Sequence, residues 1–261
     1  MGKISEKKRI VVKVGTSTLT HKTGRLNIRR VEKLVKTLAD LQNAGYEVAL
    51  VSSGAIGLGM GKLGLTKKPT DTPSKQACAA VGQCELMYMY DKLFSEYGLT
   101  VAQMLLTKYI LLEDRRQNVI NAMERLFAQG VIPVINENDT VAIDELELEV
   151  GENDSLAATV AIIANADLLI IMSDIDGLYD RDPHQHEDAR LIPVVHEITE
   201  QIRQLAGGAG SKLGTGGMVT KLNAVEIAYQ GGIDVVLMNG QRPEKLYDLF
   251  EDKPVGTYFT L

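Results

Sequence analysis

Tryptophan is absent from the 261-residue chain, which also holds only two cysteines, seven prolines and four phenylalanines. Two cysteines exclude a disulfide framework. Cys78 and Cys84 sit six residues apart in a helical pattern, hence on different faces, which argues against a bridge or a metal clip between them. No Pro/Gly/Ser-rich tract marks a linker and no internal repeat occurs, so one domain with two lobes is the economical expectation. No apolar run reaches the length of a membrane span, and "MGKISEKKR" lacks the apolar core of a signal peptide. Gly2 follows Met1, but Glu6 stands where a myristoylation pattern wants Ser or Thr. There is no basic excess either: 28 Lys and Arg face 34 Asp and Glu, a net charge of −6. That balance disfavours nucleic acid and anionic membranes as partners. A cytoplasmic, reduced protein is expected.

What the chain does contain is alternation. Apolar runs at 9–14, 47–53, 100–106, 131–136, 167–174 and 234–240 read as strands. Between them, helical periodicity covers 28–45, 74–98, 111–130, 153–165, 197–206 and 218–232. "DELELEV" at 144–150 alternates apolar and acidic residues and reads as a half-exposed strand or hairpin with a solvated acidic face. Strands separated by helices of this length imply βαβ crossovers and an α/β fold with a mainly parallel sheet covered on both faces.

In such a sheet, ligands lie beyond the carboxyl ends of the strands. Polar or Gly-rich signals cluster there: "GTST" after the first strand, "SSGAIGLG" after the second, "NENDT" after the fourth and "SDIDG" after the fifth. Lys13 interrupts the otherwise apolar "RIVVKV" just before Gly15. It could be an edge-strand lysine snorkelling to water. A buried ammonium instead needs a counter-charge, and an anion seated on the Gly turn, rather than a protein group, is the expected partner. The glycine-dense "GGAGSKLGTGG" runs into an amphipathic helix whose N-terminus can bind phosphate. Lys221, placed in the first turn or so of that helix, opposes the macrodipole unless a polyphosphate is bound. A flexible loop and a solvated lysine would be the plain alternative. Asp154 could be a helix N-cap, Asn138 and Asp139 turn formers, and Ser173 and Asp174 loop caps. Taken together, two lysines, a Gly-rich helix start and strand-end Ser and Asp groups suit phosphoryl transfer without a P-loop.

Other motifs fail on context. "GMGKLG" satisfies G-x-G-x-x-G but starts several residues past its strand, so a dinucleotide fingerprint is not supported. No P-loop occurs, "DIDGLYD" has its Gly misplaced for an EF-hand, and neither His184 nor His186 falls in a zinc or hydrolase pattern.

"VVKVGTSTL", "LVSSGAIGLG", "PVINENDTV", "GENDSLAATVA", "SDIDGLYDRDP" and "GTGGMVTKLNAV" occur in one order over nearly the whole length. This set resembles the amino acid kinase family. The resemblance implies a three-layer αβα sandwich around a mostly parallel eight-stranded sheet. It also implies ATP-dependent phosphorylation of the γ-carboxylate of L-glutamate to L-glutamyl 5-phosphate, the first step of proline synthesis, with Mg²⁺ carried on the nucleotide and no protein metal site. Kinases of aspartate, acetylglutamate, carbamate and UMP share that fold without this full motif set. The resemblance assigns Lys13 and Lys221 to the transferring phosphate, with Asp154 holding them. It gives Ser53, Asp139 and Asn153 to glutamate, with Gly54 and Asn138 close by. Lys13, Ser173, Asp174, Thr215, Gly216, Gly217, Met218, Val219, Thr220 and Lys221 go to ATP; Ser173 stands where some relatives carry Thr. The N-terminal lobe, about 1–165, is expected to bind the amino acid and 166–261 to bind ATP. Many members extend into a C-terminal RNA-binding-like PUA domain, and a short form without one is expected here. Feedback inhibition by proline and a homo-oligomer, dimer or tetramer, are also implied. Competing readings are a related kinase acting on another carboxylate or carbamate, a non-catalytic sensor of amino acid or nucleotide, and, more distantly, an NAD enzyme.

Overall fold

The computed structural model describes residues 3–107, 113–141, 152–207 and 215–260, apart from 22, 24 and 184. The expected 144–150 strand, most of the glycine-dense loop and His184 lie outside those residues. The described elements run β1 (Arg9–Val14), α1 (Thr16–Leu19), α2 (Ile28–Asn43), β2 (Glu47–Ser52), α3 (Ala55–Lys62), α4 (Thr72–Ser95), β3 (Val101–Leu106), α5 (Glu113–Ala128) and β4 (Ile132–Glu137). They continue with α6 (Glu152–Ile163), β5 (Leu168–Ser173), β6 (Val194–Val195), α7 (Glu200–Gly207), α8 (Thr215–Gln230), β7 (Asp234–Asn239), α9 (Lys245–Phe250) and β8 (Thr257–Phe259).

Among the described residues the strands form one eight-stranded sheet in the order β3-β4-β2-β1-β5-β7-β8-β6. The strands from β3 to β7 in that order are parallel, whereas β8 runs antiparallel to β7 and carries β6 parallel at the edge. Burial on both faces explains why β1, β2 and β5 are near-continuous runs of Val, Ile and Leu rather than alternating patterns. Ile10, Val12 and Val14 face a core shared with α2, α4 and α9 through Val31, Leu34, Leu86, Phe94 and Leu246. Val11, Leu169 and Ile171 face the opposite core, built with α5, α6 and α8 from Met123, Ala157, Val160 and Val225.

Several elements are not among the runs read from the sequence, the three-residue β8 included. The helices α1, α3 and α9 and the two-residue β6 are short, and α3 contains three glycines, which lower helix propensity. Packing overrides that propensity. A Cβ on Gly59 of α3 would come 1.8 Å from the Cys78 carbonyl oxygen of α4, and one on Gly82 of α4 would come 1.7 Å from that of Ala55. Gly59, the first glycine of the spurious dinucleotide pattern, therefore serves a helix crossing too tight for any side chain. Cys78 is buried, Cys84 is exposed, and both thiols are free.

Candidate active site

Lys13 is not on an edge. β1 lies in the middle of the sheet, with Lys13 in register with Val51 of β2 and Ile171 of β5, so snorkelling is blocked on both sides. Alternation puts its side chain on the same face as Val11, toward α6. There Lys13 Nζ lies 2.7 Å from Asp154 Oδ1. The direct partner is thus a protein carboxylate, contrary to the expectation of an anion alone. Asp154 is the third residue of α6 rather than its N-cap, because the helix begins at Glu152. One and two turns on, Ala157 and Ala161 of the same face are fully buried, so the carboxylate is drawn into the sandwich.

Asp154 also serves a second cation. Lys221 Nζ lies 3.4 Å from its Oδ2 and donates to the Gly217 carbonyl oxygen at 2.8 Å. Thr220 Oγ1 sits 3.4 Å from the same carboxylate oxygen. Since α8 starts at Thr215, Lys221 is about two turns in, not in the first turn, and the macrodipole penalty there is small. Nor is it solvated: the side chains of Lys13, Asp154 and Lys221 are 9%, 2% and 12% exposed. Among the described residues, two ammonium groups against one carboxylate leave a surplus positive charge in a largely dry space. Such a charge is costly unless an anion completes the cluster.

Asn153 precedes Asp154 on α6 and points to another set of groups. Its Nδ2 donates to Ser53 Oγ at 2.6 Å and lies 3.4 Å from Asn136 Oδ1. Ser53 follows β2, and Gly54 turns the chain into α3 with φ of +106°, a left-handed conformation for which glycine is suited. Asn153 Oδ1 is buried and accepts no hydrogen bond among the described residues. Asn138 and Asp139 follow β4 and line a cleft of about 460 Å³ with Gln83, Cys84, Glu137 and Thr140. At the end of β5, Ser173 Oγ donates to Asp174 Oδ1 at 3.0 Å, and the Gly240 N–H ties the Ser173 carbonyl to the end of β7 at 2.7 Å. Gly217, Met218 and Val219 belong to the first turns of α8. The side chain of Thr215 lies outside the described residues, and Gly216 follows it in the first turn of α8.

The structure thus joins Lys13, Asp154, Thr220 and Lys221 in one cluster and Ser53 with Asn153 in another, with consecutive residues of α6 linking the two. Sequence reasoning missed Asn136 and Gln83. Asn136 closes an apolar strand much as Ser53 follows one, a usable signal. Gln83 gave none, since a helical Gln beside Gly82 reads as surface.

The sequence profile described as "Amino acid kinase family" matches residues 8–239. The chain belongs to the amino acid kinase family. Among its relatives, the glutamate 5-kinase of Clostridium perfringens is 53% identical, with 98% of this chain and 96% of that protein covered. The glutamate 5-kinase of Lactococcus lactis is 47% identical over 97% of this chain and 94% of its own. That of Caldanaerobacter subterraneus is longer: 52% identity covers 96% of this chain but 67% of the relative. Solved amino acid kinase folds align over nearly the full length. UMP kinase from Ureaplasma parvum gives a TM-score of 0.65 at 14% identity, covering 98% and 99% of the two chains. An isopentenyl phosphate kinase gives 0.64 at 16%, covering 97% and 100%. At such identities these structures bear on the fold, and they agree with the three-layer sandwich. No described helix is long and apolar enough to cross a membrane.

Proposed function

We propose that this chain transfers the γ-phosphoryl group of ATP to the side-chain carboxylate of L-glutamate, giving L-glutamyl 5-phosphate for proline synthesis. The observation that carries the reading is the convergence of Lys13 and Lys221 on Asp154 at the carboxyl ends of β1 and its neighbours. A glutamate side chain has an ordinary pKa near 4.3 and is already ionised at neutral pH, so no general base is required. The obstacle is bringing one anion to another, and the surplus ammonium charge offsets it as negative charge moves onto ADP. Asp154 keeps the two lysines apart at defined positions. Lys13, Ser173, Asp174 and residues 215–221 form the nucleotide site in this reading, and the 166–261 lobe supplies most of it.

Ser53, Gly54, Asn138, Asp139 and Asn153 form the amino-acid site on the N-terminal lobe. The buried Asn153 Oδ1 suits an ammonium donor such as a substrate α-amino group. Among the described residues no three His, Cys, Asp or Glu side chains gather as a metal site. Mg²⁺ in this reading rides on the phosphates, where it neutralises charge. Feedback inhibition by proline, homo-oligomerisation and a cytoplasmic location belong to the same reading. Trapping acyl phosphate with hydroxylamine, in the presence of ATP and glutamate, aspartate or acetylglutamate, tests the acceptor. Hydroxamate from glutamate alone, reduced by added proline, is expected. Product from another acceptor but not from glutamate overturns the assignment.

A further inference from the structure

Behind the amino-acid site, a line of amides runs from α4 to the end of β2. Gln83, 9% exposed, accepts at Oε1 from Asn136 Nδ2 at 3.0 Å. Asn136 Oδ1 therefore faces the other way, toward Asn153 Nδ2 at 3.4 Å, and that Nδ2 donates to Ser53 Oγ at 2.6 Å. A side-chain amide has one accepting and one donating end, so the contacts along the line share one direction, with Gln83 Nε2 at its start buried and without a hydrogen-bond partner among the described residues. With Gln83 accepting, Asn136 presents oxygen to Asn153, Asn153 presents N–H to Ser53, and the Ser53 hydroxyl hydrogen is left for something else. A reversed Asn136 would set N–H against N–H at Asn153. Asn153 would then turn its oxygen to Ser53 and consume that hydrogen.

We propose that Gln83 is a positioning residue for the amino-acid pocket: by accepting from Asn136 it directs the line so that Ser53 Oγ–H is free to donate to a substrate carboxylate. The inference rests on the glutamate reading above for the nature of that carboxylate. Gln83 also lines the cleft that Asn138 and Asp139 border, so the helix that aims the line forms a wall of the same space. Because α4 is also anchored by apolar contacts such as Leu86 and Phe94 and by the Tyr90 hydroxyl against Ser52 Oγ at 2.8 Å, the Gln83 contact is separable from helix docking.

The test is steady-state kinetics on Gln83→Met, which keeps length and volume but removes the acceptor, with Gln83→Leu in reserve should it not fold. The glutamate KM is expected to rise about 5- to 10-fold, with kcat and the ATP KM changed less than about twofold. In a Ser53→Ala background the same substitution is expected to add less than about twofold, since the line has lost its end. Gln83→Glu keeps an acceptor facing Asn136, so whatever its charge does to KM is the same factor in both backgrounds. Leu86→Ala loosens α4 without touching the line and is expected to lower Tm with the glutamate KM unchanged. An unchanged KM in Gln83→Met, a Gln83→Met factor equal in both backgrounds, a Gln83→Glu factor that differs between them, or the same rise in Leu86→Ala overturns the proposal. If the hydroxylamine assay identifies another amino-acid acceptor, the same cycle is run on it, and the two failures remain distinct.

Discussion

The two ends of the parallel sheet handle buried charge in opposite ways. At the amino ends of the strands, Arg9 meets Glu47 at 2.6 Å and Glu124 at 2.5 Å, donates to the Ala164 carbonyl at 2.6 Å, and stacks 4.5 Å from the Phe127 ring centre. Its charge is more than matched by protein. At the carboxyl ends, Lys13 and Lys221 share Asp154, and the balance among the described residues is left positive. A saturated ion cluster serves stability; an unsaturated one waits for a ligand. The difference lies in partner count rather than in residue type, which is why a list of charged residues cannot separate the two.

Substitutions at the two ends sharpen that contrast. The largest effect is expected from Lys221→Ala: kcat falls about 100- to 1,000-fold with a glutamate KM near that of the parent chain, as for loss of a group acting on transition-state charge. Near-normal turnover in a rapid-quench assay would remove Lys221 from the chemistry. Asp154→Asn comes next, because it strands two buried ammonium groups. A loss of about 2–3 kcal/mol is expected by chemical denaturation. Saturating ATP should then raise Tm by more than it does in the parent chain, since the phosphates replace the missing negative charge. An equal ATP-induced shift in both proteins would show that the phosphates do not reach the lysines.

Arg9→Met tests the other end. A stability loss of about 1–2 kcal/mol is expected, moderated by the partly exposed glutamates, with kcat and both KM values unchanged. A fall in kcat would mean that the two ends are not functionally separate. The smallest effect concerns Asp234, also at the amino ends. Burial pushes its carboxyl up, but hydrogen bonds from Lys7, Tyr258 and Thr260 prevail and hold it below the usual range. A depressed folded pKa contributes stability above the ordinary value near 4, and that contribution is lost as pH falls through the folded value. Asp234→Asn should flatten this acid limb below about pH 4 without changing turnover. An unaltered limb in acid titrations followed by circular dichroism would place the responsible group elsewhere.

The sequence carries the sheet more clearly than it carries the site. Runs such as "VALVSS" and "LLIIMS" are too apolar for anything but two-sided burial, and their polar ends point to one edge of the sheet. Lys13 was conspicuous for the same reason, being an ammonium in such a run. Its partner is not legible in spacing or periodicity and enters only through the resemblance, which gives Asp154 as holding both lysines, because Asp154 lies far away in sequence and becomes a neighbour only when α6 crosses the sheet. Helix starts decide roles in a similar way. Moving the start of α6 to Glu152 changes Asp154 from a cap into a buried counter-ion, and moving α8 to Thr215 carries Lys221 inward. Glycines misled in α3, where close contact with α4 outweighs low propensity. Gln83 was invisible because an acceptor in a helix shows its use only with Asn136 beside it.

In the proposed reading, the surplus charge of Lys13 and Lys221 is completed by the terminal phosphate of the nucleotide. Calorimetric titration with a non-hydrolysable ATP analogue and with ADP, on the parent chain and on a Lys13→Met/Lys221→Met double variant, addresses it directly. The parent chain is expected to favour the triphosphate analogue, and the double variant to bind both nucleotides with the same affinity. A double variant that retains the full preference for the triphosphate would contradict it.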